Sequence, residues 1–303
     1  MRITFGMLTD NILTNLMTSS ERLLEAQNRA STGKRIHRPS DDVPAVGRSL
    51  TLRANLSSIE QYTRNANVAA AQLSATSSAL QSAVSRMHVV RDMAVESANS
   101  AKPVEGRQAI ATQLDQVMRE LADIANTQHL GKYVFAGSKT GSPPVVVNVG
   151  DPPYVYEGDS RQLVIQVGPG VQVTATVTAA TAFNMNEAAL PGADDVFTVI
   201  KILKEKVLAG DIEGISEHLA DIDNVRTNLI AVNSQVGAQL ANLESSADAL
   251  LESKIRVMDL LSKTEDADLA EAIIQLRMRE NLYQAAMATA ARVLNVSLVD
   301  FLR

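Results

Sequence analysis

Apolar residues recur every three and four positions over two long stretches of the chain, and this spacing predicts two long helices. The first stretch runs from Leu52 to Ala94 and the second from Ile215 to Leu261. Because the stretches are of similar length, we expect the helices to pair along heptad seams. The first seam comprises Leu52, Leu56, Ile59, Thr63, Ala66, Ala70, Leu73, Ser77, Leu80, Val84, Met87, Arg91 and Ala94. The second comprises Ile215, Leu219, Ile222, Arg226, Leu229, Asn233, Val236, Leu240, Leu243, Ala247, Leu250, Lys254, Val257 and Leu261.

A shorter helix is predicted between these two. Its apolar positions run from Ile110 to Ile124, and Pro103 and Gly106 mark the turn that precedes it. Together, the three segments predict a bundle of three or four helices.

Each end of the chain carries one further amphipathic helix. The N-terminal helix is expected to end at Gly33, a residue typical of helix C-termini. A single helix cannot bury its apolar stripe, so we expect the two ends to pair with each other or with neighbouring copies of the chain. The predicted assembly surface comprises Leu13, Leu16, Leu23, Leu269, Ile273, Leu276, Tyr283, Met287, Leu294, Leu298 and Phe301.

Residues 131–192 are rich in glycine and proline and contain short β-branched runs, which predicts a β-rich insert. Apolar and polar residues alternate on both sides of Gly168-Pro169-Gly170, so a hairpin is expected there. The fold class is therefore mainly α with a β insert: an elongated rod of long antiparallel helices, with the two termini paired at one end and the β-rich domain at the other. The predicted domains are 1–40 with 264–303, 41–130 with 193–263, and 131–192.

Composition narrows the range of functions. Aromatic residues make up 3% of the chain and tryptophan is absent, which favours thin helix-on-helix seams over a thick globular core. The net charge of −6 argues against nucleic-acid binding, because neutralising phosphates requires concentrated Lys and Arg. The absence of cysteine excludes disulfides, thiolate catalysis and most zinc sites. No cleavable signal peptide and no run of apolar residues long enough to span a membrane is recognised.

Candidate catalytic groups are few. The four histidines are scattered and lack metal-ligand spacing, so each is expected at a surface or helix edge: His37, His88, His129 and His218. Nothing in the sequence indicates a cofactor or a metal, and we do not expect an enzyme.

Two groups of carboxylates are better explained as helix caps than as reactive pairs. Asp41 and Asp42 precede a helix with Pro44 in its first turn, where capping acceptors belong. Glu265, Asp266 and Asp268 follow Thr264 at the expected start of the last helix.

Several segments resemble the flagellins and flagellar hook-associated proteins. At the N-terminal side these are Met1–Ile3, Ser31–Ile36, Pro39–Asp42 and Leu50–Leu56. The stretch Gly131–Thr140 is similar to a motif of the hook-associated proteins that join hook and filament. On the returning side, Val236–Glu244 and Thr264–Leu302 are similar to the same family, and Tyr156–Asp159 matches within the insert. The loop residues that carry the resemblance are Gly33, Lys34, Arg35, Ser40, Asp41 and Asp42.

The resemblance implies a structural subunit of the bacterial flagellum at the junction between hook and filament. Its implied partners are hook-associated protein 1, flagellin and further copies of the chain in a ring, with no nucleic acid and no membrane. The resemblance also implies an extracellular location, reached through the flagellar type III apparatus without a cleaved signal peptide. A cytoplasmic export chaperone would cover the C-terminal helix before export.

Three alternatives are open at this point. The chain could be a flagellin or a minor filament subunit, whose loop and ends are similar. A hydrolase or binding module on residues 131–192 is a second reading, although that segment contains no histidine or cysteine. Heptads rich in Ala and Ser also occur in any extended coiled coil, so periodicity alone predicts only a rod.

Overall fold

The computed structural model of the protein describes residues 5–99, 102–148, 150, 152–185 and 195–301, with side chains undescribed at 5, 6, 8 and 293–301. The helices are α1 (Phe5–Thr32), α2 (Val43–Asn99), α3 (Val104–Ala125), α4 (Ala179–Ala182), α5 (Val196–Ala209), α6 (Ile212–Glu265) and α7 (Leu269–Phe301). The strands are β1 (Gln128–His129), β2 (Lys132–Tyr133), β3 (Val145–Val147), β4 (Tyr154–Tyr156), β5 (Val164–Gly168) and β6 (Val171–Thr174). The predicted class, mainly α with a β insert, is confirmed.

The chain divides into two compact units. Residues 1–58 and 253–303 form the terminal unit, and residues 59–252 form the central unit. The helices α2 and α6 each contribute residues to both. The predicted division into three domains stays a prediction.

The two predicted heptad seams lie on α2 and α6. Every seam position is buried or partly buried, which is the pattern expected when long helices pack along one face. In the central unit, Ser77 of α2 donates a hydrogen bond to Asn233 of α6 at 2.8 Å. Arg91 of α2 also pairs with Asp223 of α6 at 2.9 Å. The apolar stripes and these polar contacts together fix the register of the two helices.

A second pair of helices, α3 and α5, belongs to the same core. The shorter helix predicted around Ile110 is confirmed as α3, whereas α5 has no counterpart in the sequence-based prediction. Local signals for α5 are present: Asp195 accepts a hydrogen bond from the Thr198 amide at its start, and Gly210 adopts a left-handed φ of 77° at its end. Lys204 of α5 pairs with Asp115 of α3 at 2.7 Å.

The strands form three separate two-stranded antiparallel sheets: β1–β2, β3–β4 and β5–β6. The predicted hairpin around Gly168-Pro169-Gly170 is confirmed as β5–β6, with a register irregularity between Gln166 and Gly168. Asn65 of α2 donates a hydrogen bond to the carbonyl of Gln166 at 2.8 Å, so this hairpin is tied to the helical core of the central unit.

An aromatic cluster joins the β insert to α5. The rings of Phe183 and Phe135 meet edge to face with centroids 5.6 Å apart. Phe197 of α5 lies 4.5 Å from Tyr154 of β4, between ring centroids, and stacks against Phe183 at 6.4 Å. The three phenylalanines are fully buried, so the insert and α5 share one aromatic core.

The stretch 131–140 folds against the Tyr156–Asp159 segment. The carboxylate of Asp159 accepts hydrogen bonds from the amide and the hydroxyl of Ser138. These hydrogen bonds hold the pKa of Asp159 below its ordinary range. Gly137 has a left-handed φ of 67°, and a Cβ on it would overlap the backbone and side chain of Asp159. The two segments of the insert that carry the family resemblance are therefore one structural unit.

Replacing Gly137 with alanine should destabilise the central unit by about 2 kcal/mol more than Gly131→Ala, because Gly137, unlike Gly131, lacks room for a methyl group. Gly131 is the matched control, since its φ of 75° is also left-handed but a Cβ there meets open space. Urea unfolding of both variants measures the difference. Equal losses would show that the contact with Asp159 is unimportant for stability.

The histidine expectation is wrong at one position. His218 of α6 is 4% exposed, and its ring nitrogens contact the Val199 carbonyl of α5 and the Asp221 carboxylate, each at 2.8 Å. His218 was expected at the surface because the predicted seam of α6 shows only the residues that face α2. The side of α6 that carries His218 packs against α5, a helix that was not predicted.

Candidate functional site in the terminal helices

In the terminal unit, α1 and α7 pack along each other, as expected for the two ends of the chain. On each helix, the buried and partly buried positions recur in steps of four and three residues. We infer that these stripes form the contact between the two helices. On α1 they are Ile12, Leu16, Ser19, Leu23, Ala26 and Ala30. On α7 they are Ala272, Leu276, Arg279, Tyr283, Ala286 and Ala290.

The residues predicted for the assembly surface fall into two groups. Leu16, Leu23, Leu276 and Tyr283 are partly buried and lie on the stripes just described. Leu13, Leu269, Ile273 and Met287 are 47–53% exposed and lie beside those stripes. The side chains of Leu294, Leu298 and Phe301 lie outside the described residues. The role of the whole set in assembly stays a prediction.

A second apolar stripe on α7 was missed in the sequence. Ile274, Met278 and Leu282 follow one another in steps of four, and they are 66%, 50% and 50% exposed. Helix α1 similarly exposes Met17 and Leu24. The signal in the sequence is that α7 has more apolar residues than one heptad stripe can hold. The terminal helices thus keep apolar surface uncovered after they have packed on each other.

The loop between α1 and α2 docks on the segment that joins α6 to α7. Helix α1 ends at Thr32, and Gly33 follows it with a φ of 67° that turns the chain, as expected of the residue predicted to end this helix. The Gly33 carbonyl then accepts a hydrogen bond from the Ala267 amide at 2.8 Å, and the Arg35 amide donates to the Glu265 carbonyl at 2.7 Å. The Arg35 guanidinium also donates to the Thr264 carbonyl at 2.9 Å. The last carbonyls of α6, which have no partner within the helix, are satisfied in this way.

Of the two loop aspartates predicted to cap a helix, Asp42 does so and Asp41 does not. Asp42 accepts a hydrogen bond from the Ala45 amide at 3.0 Å and caps α2. Asp41 accepts hydrogen bonds from the amides of His37 and Arg38 and closes the loop itself. The hydrogen bonds from these amides hold the pKa values of both carboxyls below their ordinary range.

Glu265 is the centre of the site. Its side chain is 8% exposed and its two oxygens accept hydrogen bonds from Arg53 at 2.7 and 2.9 Å, from Lys34 at 3.0 Å and from Ser49. Lys34 follows α1, Ser49 and Arg53 lie on α2, and Glu265 is the last residue of α6. We call these four residues the Glu265 cluster. One carboxylate thereby joins three segments of the terminal unit.

The electrostatics of the cluster favour the ionised carboxylate. The hydrogen bonds from Arg53, above all, lower the pKa of Glu265 from 4.5 to about 2, although burial acts in the opposite direction. Because the folded-state pKa is below the unfolded one, the stability that this group contributes is present above pH 4.5. It is lost as the pH falls towards 2.

The placement of Thr264 and Glu265 at the start of the last helix is wrong. Both residues belong to α6, and α7 begins at Leu269. Asp268 caps α7 instead, since its carboxylate accepts a hydrogen bond from the Ala270 amide at 2.8 Å. The basic residues Lys34 and Arg35 of the docked loop bind their own chain. The acidic residues appeared to start a helix because Glu265 and Asp268 are close in sequence while serving different helices.

Comparison with known proteins shows which class of protein this chain resembles. Residues 3–140 match the family model of the bacterial flagellin N-terminal helical region. This part of the chain, which holds α1, the docked loop, α2 and α3, is therefore similar to the N-terminal helical region of flagellins.

Over its full length, the chain resembles flagellar hook-associated protein 3. It is 25% identical to that protein of Salmonella typhimurium, with 100% of both chains covered. It is 23% identical to that of Escherichia coli, over 94% of this chain and 96% of the relative. The resemblance predicted from the motifs is confirmed. A flagellin of Bacillus subtilis is 22% identical over 96% of both chains.

Solved structures show the same fold. A putative flagellar hook-associated protein of Vibrio parahaemolyticus matches with a TM-score of 0.66 and 24% identity, over 75% of this chain and 100% of the other. The flagellar hook-associated protein 3 of Legionella pneumophila matches with a TM-score of 0.63 and 19% identity, over 70% and 98%. The flagellin-like fold expected from the sequence is thus confirmed.

The described residues contain neither a metal-type cluster nor a membrane-spanning helix. Within that part of the chain, no three His, Cys, Asp or Glu side chains are grouped as metal ligands would be. None of its helices is both long and apolar enough to cross a membrane.

Proposed function

We propose that this chain is a structural subunit of the bacterial flagellum that joins the hook, through hook-associated protein 1, to the flagellin filament. The observation that carries the proposal is the match to flagellar hook-associated protein 3 along the whole of both chains. A solved relative from Legionella pneumophila, described as a flagellar junction protein, supports the same role through its fold, with a TM-score of 0.59.

The terminal helix pair supplies the assembly surface in this proposal. Exposed apolar residues on both helices, among them Leu13, Ile273 and Ile274, need a partner that excludes water. Copies of the same chain in a ring would place α1 and α7 of one subunit against those of the next. The predicted set from Leu13 to Phe301 and the second stripe on α7 are the residues assigned to these contacts.

The remaining roles follow from the same assignment. The subunit acts outside the cell, after export through the flagellar type III apparatus without a cleaved signal peptide. A cytoplasmic chaperone covers α7 before export, since its exposed apolar stripe is an aggregation liability. The proposed role is mechanical and not enzymatic, and it involves neither nucleic acid nor membrane.

A flagellin or minor filament subunit is the second candidate. The observation that favours it is the similarity to the Bacillus subtilis flagellin, which also spans nearly both chains. The junction role is preferred because the hook-associated relative matches at higher identity and over all of both chains.

Deleting the gene from its source bacterium separates the two candidates. For a junction subunit we expect bare hooks in electron micrographs and flagellin released into the medium, with filaments restored by the wild-type gene. Intact filaments in the deletion strain would contradict the junction role. Long filaments grown from the purified protein alone would establish the flagellin role instead.

A further inference from the structure

We propose that Glu265 is a positioning residue that sets the direction in which the α1–α7 pair leaves the ends of α2 and α6 in the terminal unit. The inference deepens the proposed function and rests on it only where incorporation into flagella is measured. The side chain of Glu265 is bound by Lys34, Ser49 and Arg53, none of which belongs to the exposed apolar stripes, so its effect on assembly would act through the placement of the helix pair.

The first argument is the convergence of segments on one side chain. Lys34 fixes the chain directly after α1, while Ser49 and Arg53 fix the first turns of α2. Glu265 itself ends α6, and only Asp266, Ala267 and Asp268 separate it from α7. The exits from α1 and α6 and the first turns of α2 are therefore held by bonds to a single carboxylate.

The second argument concerns geometry. The Arg53 guanidinium binds both oxygens of Glu265, through its Nε at 2.9 Å and one terminal nitrogen at 2.7 Å. A two-point contact of this kind fixes orientation as well as distance, because the guanidinium and the carboxylate must lie in register. The backbone bonds between Gly33 and Ala267 and between Arg35 and Glu265 run alongside it. The loop and the α6–α7 junction consequently have one preferred arrangement.

The third argument is the difference between the cluster and the helix pair. The inferred contact between α1 and α7 is a stripe of mainly apolar and small side chains, and Glu265 is not part of it. Apolar contacts are non-directional, so they bring the helices together without defining how the pair continues from α2 and α6. Direction comes from the polar contacts between the loop and the α6–α7 junction, and the Glu265 cluster supplies those that connect this junction to α2.

Distances between spin labels on the full-length purified chain test this separation. The sequence has no cysteine, so label sites can be introduced without background. Labels at Glu21→Cys on α1 and Ser57→Cys on α2 measure a distance across the Glu265 cluster, and both positions are exposed. Glu21→Cys with Ala291→Cys on α7 reports within the helix pair.

In the otherwise unchanged protein we expect narrow distance distributions for both label pairs. Glu265→Gln should at least double the width across the cluster and leave the width within the helix pair unchanged. Arg53→Gln should have the same effect, and the double variant should be no broader than either single one, because both remove one contact. Glu120→Gln is the matched control, since Glu120 pairs with Arg86 in the central unit.

Unchanged width across the cluster in Glu265→Gln would overturn the inference. Broadening of both label pairs would overturn it as well, since the carboxylate would then hold the pair together and not direct it. A broad distance distribution across the cluster in the protein with Glu265 unchanged would also overturn the inference.

Incorporation provides the second readout. In the deletion strain, Glu265→Gln should reduce incorporated protein at least tenfold, while Glu120→Gln restores normal levels. If wild-type protein itself fails to restore filaments, the proposed function fails while the distance result stands. Normal incorporation of Glu265→Gln alongside a working wild type would overturn the positioning role.

Discussion

Replacing Ile274 with aspartate should abolish incorporation of the protein into flagella without unfolding the monomer. Ile274 is 66% exposed on α7, so an aspartate there remains in water and changes the free energy of unfolding by no more than about 0.5 kcal/mol. In a packed interface between subunits the same carboxylate loses its water without gaining a partner, which costs several kcal/mol.

Complementation of the deletion strain and urea unfolding of the purified variant measure the two quantities. Gln284→Asp is the control, because it adds the same charge at an exposed polar position of α7. Leu276→Asp should also abolish incorporation while the rest of the chain stays folded, but it should weaken the α1–α7 contact in the monomer as well. Normal incorporation of Ile274→Asp would remove the second stripe from the assembly surface.

Replacing Asp195 with asparagine should stabilise the central unit at pH 8 by up to about 3 kcal/mol and have little effect at pH 3.5. Burial raises the pKa of Asp195 from 3.8 to about 6, against the hydrogen bonds from Thr198. The folded state therefore binds a proton more tightly than the unfolded chain does. Stability decreases as the pH rises from 3.8 to 6, and the full penalty of the buried charge is present above that window. Asparagine keeps an acceptor for the Thr198 amide and removes the charge.

Urea unfolding of wild type and variant at the two pH values checks this expectation. Asp211→Asn is the control for the substitution itself, since Asp211 is exposed and accepts a hydrogen bond from the Gly214 amide. A gain of the same size at pH 3.5 and pH 8 would mean that the effect of Asp195→Asn does not come from its proton.

The long helices were predictable because their signal is repeated many times. On α2 and α6 an apolar residue recurs at most heptad positions. The pattern therefore remains recognisable although polar residues, such as Arg91 and Asn233, occupy some of these positions. Helix α5 shows no repeated heptad pattern, because it has only 14 residues and is largely apolar. It lies buried against α3 and the β insert. Short apolar runs of this kind fit a helix or a strand equally well until their caps are considered.

The terminal site was predictable in part. The apolar ends and the loop from Gly33 to Asp42 were recognised from sequence, since stripes and capping residues are local patterns. The Glu265 cluster was not, because its members are joined by tertiary contacts that no local pattern records. The second stripe on α7 was missed for another reason: Ile274, Met278 and Leu282 lie between the positions of the first stripe, and a search for one heptad pattern does not include them.

The terminal unit is discontinuous in sequence, and this has a kinetic consequence. The bonds of Glu265 to Arg53, Ser49 and Lys34 span 212, 216 and 231 positions. Contacts between residues so far apart in sequence form slowly, because a long loop must close before they contribute any free energy. The hairpins of the β insert and the neighbouring helices α3 and α5 close far shorter loops. A nascent chain therefore completes its middle first and its ends last, and α1 emerges long before α7 is synthesised to cover it.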